Sequence, residues 1–184
     1  RYRIAAFYYF LNSGTNPYVK HHVVVIPDTS LYSHVMNDTD TVNGGFINSV
    51  LYTQGLTQAN EMVASVFGPP LQVPVLLSSA RTGANASSWA WANVGACIMN
   101  EGMVYSAPMW GAQVHSPYNN GNRVTQLPLF MLRPDLINVR NNYWFSDIAS
   151  ESGFASHLAA GRPGLSAASS VLGVRPFFCI GKAS

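Results

Sequence analysis

The sequence predicts an α+β fold, with strands near both ends of the chain and helices gathered between them. Three observations carry this. The opening run RYRIAAFYYFL and the segment HVVVI are dense in aromatic and β-branched side chains. An apolar pattern at helical spacing follows in the middle of the chain, and β-type runs return towards its end. This order, strands, two helices and then strands parted by long irregular loops, differs from the strict strand–helix alternation of a parallel sheet.

Arg3 to Leu11 and His22 to Ile26 form the first two predicted strands, with turn chemistry at Asn12-Ser13-Gly14 and Asn16-Pro17 between them. Pro27-Asp28-Thr29 ends the second, because proline cannot donate to a ladder. From Thr57, the residues Ala59, Met62, Val63, Val66 and Phe67 share one helical face until Gly68-Pro69-Pro70 stops the pattern. A second helix is predicted from an N-cap at Ser87 or Ser88, through Trp89, Ala92, Ala96, Cys97 and Met99, to about Glu101, weakened by Gly95. After Tyr105 the stretch SAPMWGAQVHSPYNNGNRV predicts a long loop or weak hairpin around Asn120-Gly121. Strands are expected again at Leu127 to Leu132, Tyr143 to Phe145 and Val174 to Ile180, and the strand-like segments at the two ends could pair.

Composition narrows the function classes. The 184 residues suit one domain, spanning 1–184, and the first residues already read as a strand in progress, so a longer chain with this domain at its C-terminal end is expected. Apolar residues make up 48%, yet no run is long enough to cross a bilayer, which argues against membrane insertion. Charged residues are only 10%, and the net +2 is scattered rather than striped, which argues against a nucleic-acid partner. Cys97 and Cys179 each sit in an apolar segment; buried free thiols are the simplest reading, with a disulfide left open.

Chemistry-bearing clusters are thin. His21 and His22 are adjacent and would point to opposite faces of a strand, so they do not suit one metal ion. The loop from Asn37 to Gly44 has a flavour of calcium binding, but counting from Asp38 puts Asn43 and Ser49 where an EF-hand needs glycine and a bidentate acid; a turn into the next helix is expected. Ser156, His157 and Glu101 could form a hydrolytic set only on paper, since no nucleophile elbow accompanies them. Lys182 lacks the context of a phosphate loop. No catalytic residue, metal or cofactor is expected.

The strongest signal is the run YWFSDIASESGFASHLAAGRPGLSAASSVLGVRPFFCIG, Tyr143 to Gly181. Its ends have the form of a frame: Trp144 and Phe177 can anchor a core, Arg175 can tie a loop by hydrogen bonds, and Pro176 stiffens it. Its middle is mostly Ser, Ala and Gly. Either it is a plain, well-packed small-residue loop, or it is an insert whose side chains are exchangeable.

The segments KHHVVVIPDTSLY, VNGGFINSVLYTQGL, MNEGMVY, QLPLFMLRPDLI, YWFSDIASESGFA and LGVRPFFCIG together resemble a family of virion-associated proteins of bacteriophages and prophages of gut Firmicutes. The tail also resembles the C-terminal module of variable proteins with a C-type-lectin-like fold, some diversified by retroelements, of which the phage major tropism determinant is the best-known type. The resemblance implies two helices with a mixed, mainly antiparallel sheet and long irregular loops. It implies a virion-surface module that binds a host-cell receptor, protein or glycan, beside other virion proteins, and that could form a homo-oligomer such as a tail-fibre trimer. A structural capsid-decoration or tail-fibre domain is the alternative, and an enzyme of the related sulfatase-modifying fold a third.

The resemblance places Tyr143, Trp144, Asp147, Ser150, Phe154, Ala155, Gly161, Ala168, Ser169, Gly173, Val174, Arg175 and Pro176 in the framework. It places Gly153, Ser156, Leu158, Ala159, Ala160, Arg162, Gly164, Leu165, Ser166, Ala167, Ser170, Val171 and Leu172 in the variable, ligand-binding surface. Phe145-Ser146 departs from the family's Leu-Arg, and His157 and Pro163 stand where smaller apolar residues are usual. None of the variable positions carries Trp, Met, Lys, Glu or Gln, the residues that adenine mutagenesis of AAC or AAT codons cannot produce. Such a patch would be shallow and weak at a single site, with multivalent display supplying avidity.

Overall fold

The computed structural model describes residues 1–82, 85–107, 109 and 125–181. The fold is α+β and mostly antiparallel. Strands β1 (Tyr2–Phe7), β2 (Val23–Pro27), β6 (Ala96–Ile98) and β11 (Pro176–Ile180) form a first sheet in the order β1-β2-β11-β6. The expected pairing of the chain's ends is met through β2, which lies between β1 and β11. A second sheet has the order β3-β10-β7-β8-β9, from β3 (Tyr32–Val35), β7 (Tyr143–Ile148), β8 (Gly153–Leu158), β9 (Arg162–Ala167) and β10 (Val171–Val174). Its one parallel contact joins β10 to β7 at Gly173 and Tyr143. Strands β4 (Val73–Thr82) and β5 (Asn85–Val94) make a separate hairpin.

Helix α1 (Leu56–Phe67) bears out the apolar pattern at its centre, where Leu56, Ala59 and Val63 are buried. Its last turn runs past the core. Val66 is exposed, while Phe67 lies edge-on to Tyr2 and close to Phe178. The helical segment also starts earlier than Thr57: Ser49 Oγ accepts from Tyr52 N–H (3.1 Å), and a π-helical turn, Leu51–Gly55, feeds α1.

Two expectations are corrected. The region read as a second helix from Ser87 or Ser88 is strand: β5, then β6 after Gly95. Along SSWAWANV, Trp89 and Trp91 alternate with Ala90, Ala92 and Val94, and this period of two prevails once β4 is opposite, with Trp91 facing Leu76 and Ala92 facing Val75. A short helix, α2 (Glu101–Tyr105), begins where that helix was expected to end, capped by Asn100 Oδ1 on Met103 N–H (2.8 Å). The strand expected at Leu127 to Leu132 is helix α3 (Pro128–Leu132), with Pro128 in the first turn, where its missing N–H costs nothing.

The weak hairpin expected around Asn120-Gly121 and the Lys182 segment lie outside the described residues. Among the described residues, no helix is long and apolar enough to cross a membrane. One cluster of buried apolar side chains draws on all three sheets and α1, and it includes Trp144, Phe145, Phe154, Phe177 and Phe178.

Candidate functional site

The small-residue run is ordered strand, not loop. It forms β8, β9 and β10, three of the five strands of the second sheet. Its frame is as tight as the sequence implied: Tyr143, Trp144, Gly173, Arg175 and Pro176 are all buried. Trp144 Nε1 donates to His34 O (2.9 Å), binding β7 to the β3 segment.

Arg175 is the knot. The residue is 1% exposed, and among the described residues it forms no ion pair with a carboxylate. Instead Nε donates to Pro27 O (3.1 Å), Nη1 to Ile137 O (3.3 Å) and Nη2 to Leu136 O (3.0 Å). The rings of Phe130 and Tyr143 lie 5.5 and 5.4 Å from its centre. Burial pulls its pKa below the usual arginine value, yet the carbonyl dipoles and ring faces keep a cation acceptable there. One side chain thereby joins the end of β2, the loop after α3 and the β10–β11 junction.

Beneath this knot lies His157, fully buried and stacked on Tyr143 with ring centres 4.7 Å apart. Its Nδ1 is 2.6 Å from the Tyr105 hydroxyl and its Nε2 3.4 Å from Asn138 Oδ1. With Nδ1 accepting from the phenol and Nε2–H facing the amide oxygen, the neutral ring meets both neighbours. Burial, and then the Arg175 charge, pull its pKa down to about 4. This is why a histidine can stand where the resemblance led to a smaller apolar residue: it is an uncharged, stacked core residue.

The expected ligand-binding positions divide by environment. Gly153, Ser156 and Gly164 are buried. A Cβ on Gly153 would come within 2.4 Å of Ser166 O, a backbone atom of the paired strand. A Cβ on Gly164 would come nearest to the Leu158 side chain, at 2.6 Å, which would have to shift. Ser156 Oγ is 2.9 Å from Ser166 Oγ, closing a hydroxyl pair across β8 and β9. Leu158, Ser166, Ala167, Ser170 and Leu172 are half-buried, while Ala159, Ala160, Arg162, Leu165 and Val171 are exposed, Leu165 at 41% and Val171 at 67%.

Except for Leu165 in the middle of β9, the exposed positions lie in or next to two turns, Ala159, Ala160 and Arg162 at one and Val171 at the other. One is the β8–β9 tip, residues 159–161; the other is the β9–β10 turn, residues 168–170. They lie at opposite ends of β9, about 20 Å apart for six residues of strand. Both backbones are tied down by hydrogen bonds. At the tip, Ala159 N–H donates to Asn142 Oδ1 (2.7 Å) and Gly161 N–H to Leu158 O (2.8 Å). At the turn, Ala168 O accepts from Met36 and Asn37 N–H, both at 2.9 Å. Asp40 Oδ1 accepts from Ser169 N–H (3.0 Å) and Ser169 Oγ (2.6 Å), and these bonds hold its carboxyl below the usual carboxylate pKa.

The acidic loop therefore does more than turn. Asn37 Oδ1 accepts from Val50 N–H (3.0 Å), which serves the expected entry into the helical segment, while Asp40 buttresses the distant β9–β10 turn. Sequence reading missed that second role, as it missed Asn138 and Asn142; none of the three bears a local pattern pointing to its partner.

Other candidate chemistry does not assemble. His22 Nδ1 faces Lys20 O (2.8 Å) and Nε2 accepts from Phe10 N–H (3.0 Å), so both ring nitrogens are engaged. Among the described residues no group of three potential ligands could hold a metal. Ser156 and His157, successive on β8, project to opposite faces, and Glu101 Oε2 accepts from Met109 N–H (3.1 Å). Cys97 and Cys179 are free and buried; burial pushes the Cys97 thiol up to about 12 and raises that of Cys179. Burial thus disfavours the thiolate form of both. No protein-family model, curated protein or solved structure matches this chain.

Proposed function

We propose that this chain is a surface module of a bacteriophage particle, built on a C-type-lectin-like scaffold, that attaches to a host-cell receptor through its β8–β9 tip and β9–β10 turn. The observation that carries this reading is the division within the small-residue run. The exposed side chains of Ala159, Ala160 and Val171 adjoin backbone held by Asn142 at the tip and by Met36, Asn37 and Asp40 at the turn, and none of those bonds uses the three side chains, so their identity is free to change. A surface that follows a changing receptor needs that property. The mixed, mainly antiparallel sheet order supports the scaffold assignment.

The contact set in this reading is narrower than the sequence suggested: Leu158, Ala159, Ala160, Ser170, Val171 and Leu172, with Arg162 and Leu165 beside them on β9. Gly153, Ser156 and Gly164 belong to the packed sheet. Their burial favours the second reading, a structural virion protein whose run merely packs, for that part of the chain.

Exchanging Ala159, Ala160, Ser170 and Val171 for the residues of a related phage separates the two. The receptor reading expects altered adsorption to a panel of host strains at an unchanged melting temperature. Unchanged adsorption by the exchanged particle would leave the structural reading standing. Retroelement diversification further expects substitutions in closely related genomes to concentrate at these turns and to spare Gly153.

A further inference from the structure

The second sheet ends at β9, whose outer side has no partner strand among the described residues. Which backbone groups face that open side follows from the register. Ala168 N–H donates to Ser152 O (2.9 Å), and the ladder runs without a bulge from Gly153–Ala167 to Leu158–Arg162. Antiparallel pairs alternate between those that exchange hydrogen bonds and those that do not. Ser166, Gly164 and Arg162 therefore bond across to β8, while Pro163, Leu165 and Ala167 turn their main-chain groups outward. Proline suits its slot, having no N–H to give to the neighbouring strand. Ala167 O is already taken by Ser170 N–H (2.9 Å). The open edge thus offers the Pro163 carbonyl, both groups of Leu165 and the Ala167 N–H.

This set is its own complement. A second copy laid antiparallel on a two-fold axis through Leu165 faces Leu165 with Leu165 and Pro163 with Ala167. The leucines exchange two bonds, and each Pro163 carbonyl accepts from the Ala167 N–H of the other copy, about four bonds in all. The donor that Pro163 lacks falls opposite the acceptor that Ala167 has already used. An arbitrary extended strand would leave an N–H and a carbonyl unmatched at those two places. Charge agrees: Arg162 is exposed without an ion pair among the described residues. The axis sets it opposite Ala168 of the second copy, beside Ser169 and the exposed Asp40 that Ser169 holds.

We infer that β9 is an interface between two copies of this chain, joining their five-stranded sheets edge to edge. The bonds are main-chain bonds, so side chains along β9 can change while pairing persists. The pairing also brings together what one chain keeps apart. The tip of one copy comes beside the β9–β10 turn of the other, making two composite patches. That consequence rests on the receptor reading; the interface itself does not.

Sedimentation velocity on the full chain over a range of concentration tests it. A reversible monomer–dimer equilibrium is expected for the wild type. Leu165→Pro, which removes the outward donor on the axis but none of the bonds to β8, should sediment as a monomer with unchanged far-UV circular dichroism. Leu165→Cys should be captured as a covalent dimer by a short bis-maleimide, because both native thiols are buried, while Val171→Cys should not. A wild type that stays monomeric at high micromolar concentration overturns the inference. So does a dimer that survives Leu165→Pro, or equal cross-linking at positions 165 and 171. Should Leu165→Pro fail to fold, the cross-linking pair decides alone. Host adsorption is not read in any arm, so failure here leaves the receptor proposal separately testable.

Discussion

Ser156 and Ser169 belong to the same run of small residues, and their surroundings are opposite. Ser156 is fully buried, paired with Ser166 across two strands; Ser169 is exposed on a turn, held by Asp40. Gly153 and Ala160 repeat the contrast: one is small because the neighbouring strand leaves no room, the other has solvent around it. One composition therefore has two physical causes. In the body of β8 and β9, smallness is a packing requirement. Beside the two turns, at the exposed Ala159, Ala160 and Val171, nothing in the structure demands it, although Gly161 (φ 89°) and the buried Ala168 within the turns are fixed, and that freedom is what a contact surface can use.

The contrast would break most visibly at the frame. Arg175→Met keeps much of the apolar stem but leaves the carbonyls of Pro27 and Leu136 without their Arg175 donor in a buried site, while Ile137 O keeps the Tyr143 hydroxyl (3.1 Å). The expected loss in a denaturant titration is about 3 kcal/mol, since each of the two carbonyls so orphaned costs on the order of 1–3 kcal/mol and the relieved burial of the charge offsets part of the total. Arg175→Lys should recover little, because an ammonium cannot reach three carbonyls in the fork geometry. A variant within 1 kcal/mol of wild type, on the order of an ordinary surface change, would mean that the frame is held by packing alone.

A matched pair of substitutions sharpens the comparison inside the run. Gly153→Val forces side-chain atoms against Ser166 O, and parting β8 from β9 there should cost about 3 kcal/mol. Ala160→Val places the same side chain on the exposed tip and should change stability by less than about 0.5 kcal/mol. Thermal unfolding of both measures the difference. Equal costs would mean that the turns are as constrained as the strands, which removes the basis for an exchangeable surface.

This division was only half legible in the sequence. The frame could be read, because Tyr143, Trp144, Arg175 and Pro176 are residue types with one obvious use in a folded chain. The α1 stripe could be read because Ala59 and Val63 hold a helical face on their own. The β4–β5 hairpin could not: SSWAWANVGACIM satisfies a helical spacing and a strand alternation together, and only the opposing strand decides between them. QLPLFML likewise reads as strand by composition until Pro128 sets the first turn of a helix. The supports of the two turns were the least legible. Asp40 and Ser169 are 129 positions apart, and no periodicity links an aspartate in a turn to a serine in another. Small residues carry little pattern of their own, so their two roles separate only when their neighbours are known.

The smallest expected effect depends on pH and tests whether the buried side of the run is as closed as the stack of His157 on Tyr143 implies. An ordinary histidine titrates near 6.5, and this one is held down to about 4, by burial first and by the Arg175 charge second. Around it stand Tyr105 from α2, Tyr143 from β7, Asn138 from the loop after α3, and Arg175 from the β10–β11 junction; none carries a negative charge that would welcome an imidazolium. Above pH 6.5 the histidine is neutral in folded and unfolded chains alike, and its contribution to stability is fully present. As pH falls from 6.5 towards 4, the unfolded chain takes up a proton that the folded chain refuses, so stability declines, by about 2 kcal/mol over that window. His22, whose pKa is also lowered by burial, acts in the same direction. Denaturant titrations at pH 7 and pH 4.5 should show the loss in wild type, and His157→Phe, which keeps an aromatic ring on Tyr143, should show a smaller one. The ring proton resonance of His157 decides the point directly. A titration midpoint near 6.5 would mean that water and protons reach the stack, and that the strands beneath the two turns are not the fixed floor on which an exchangeable surface depends.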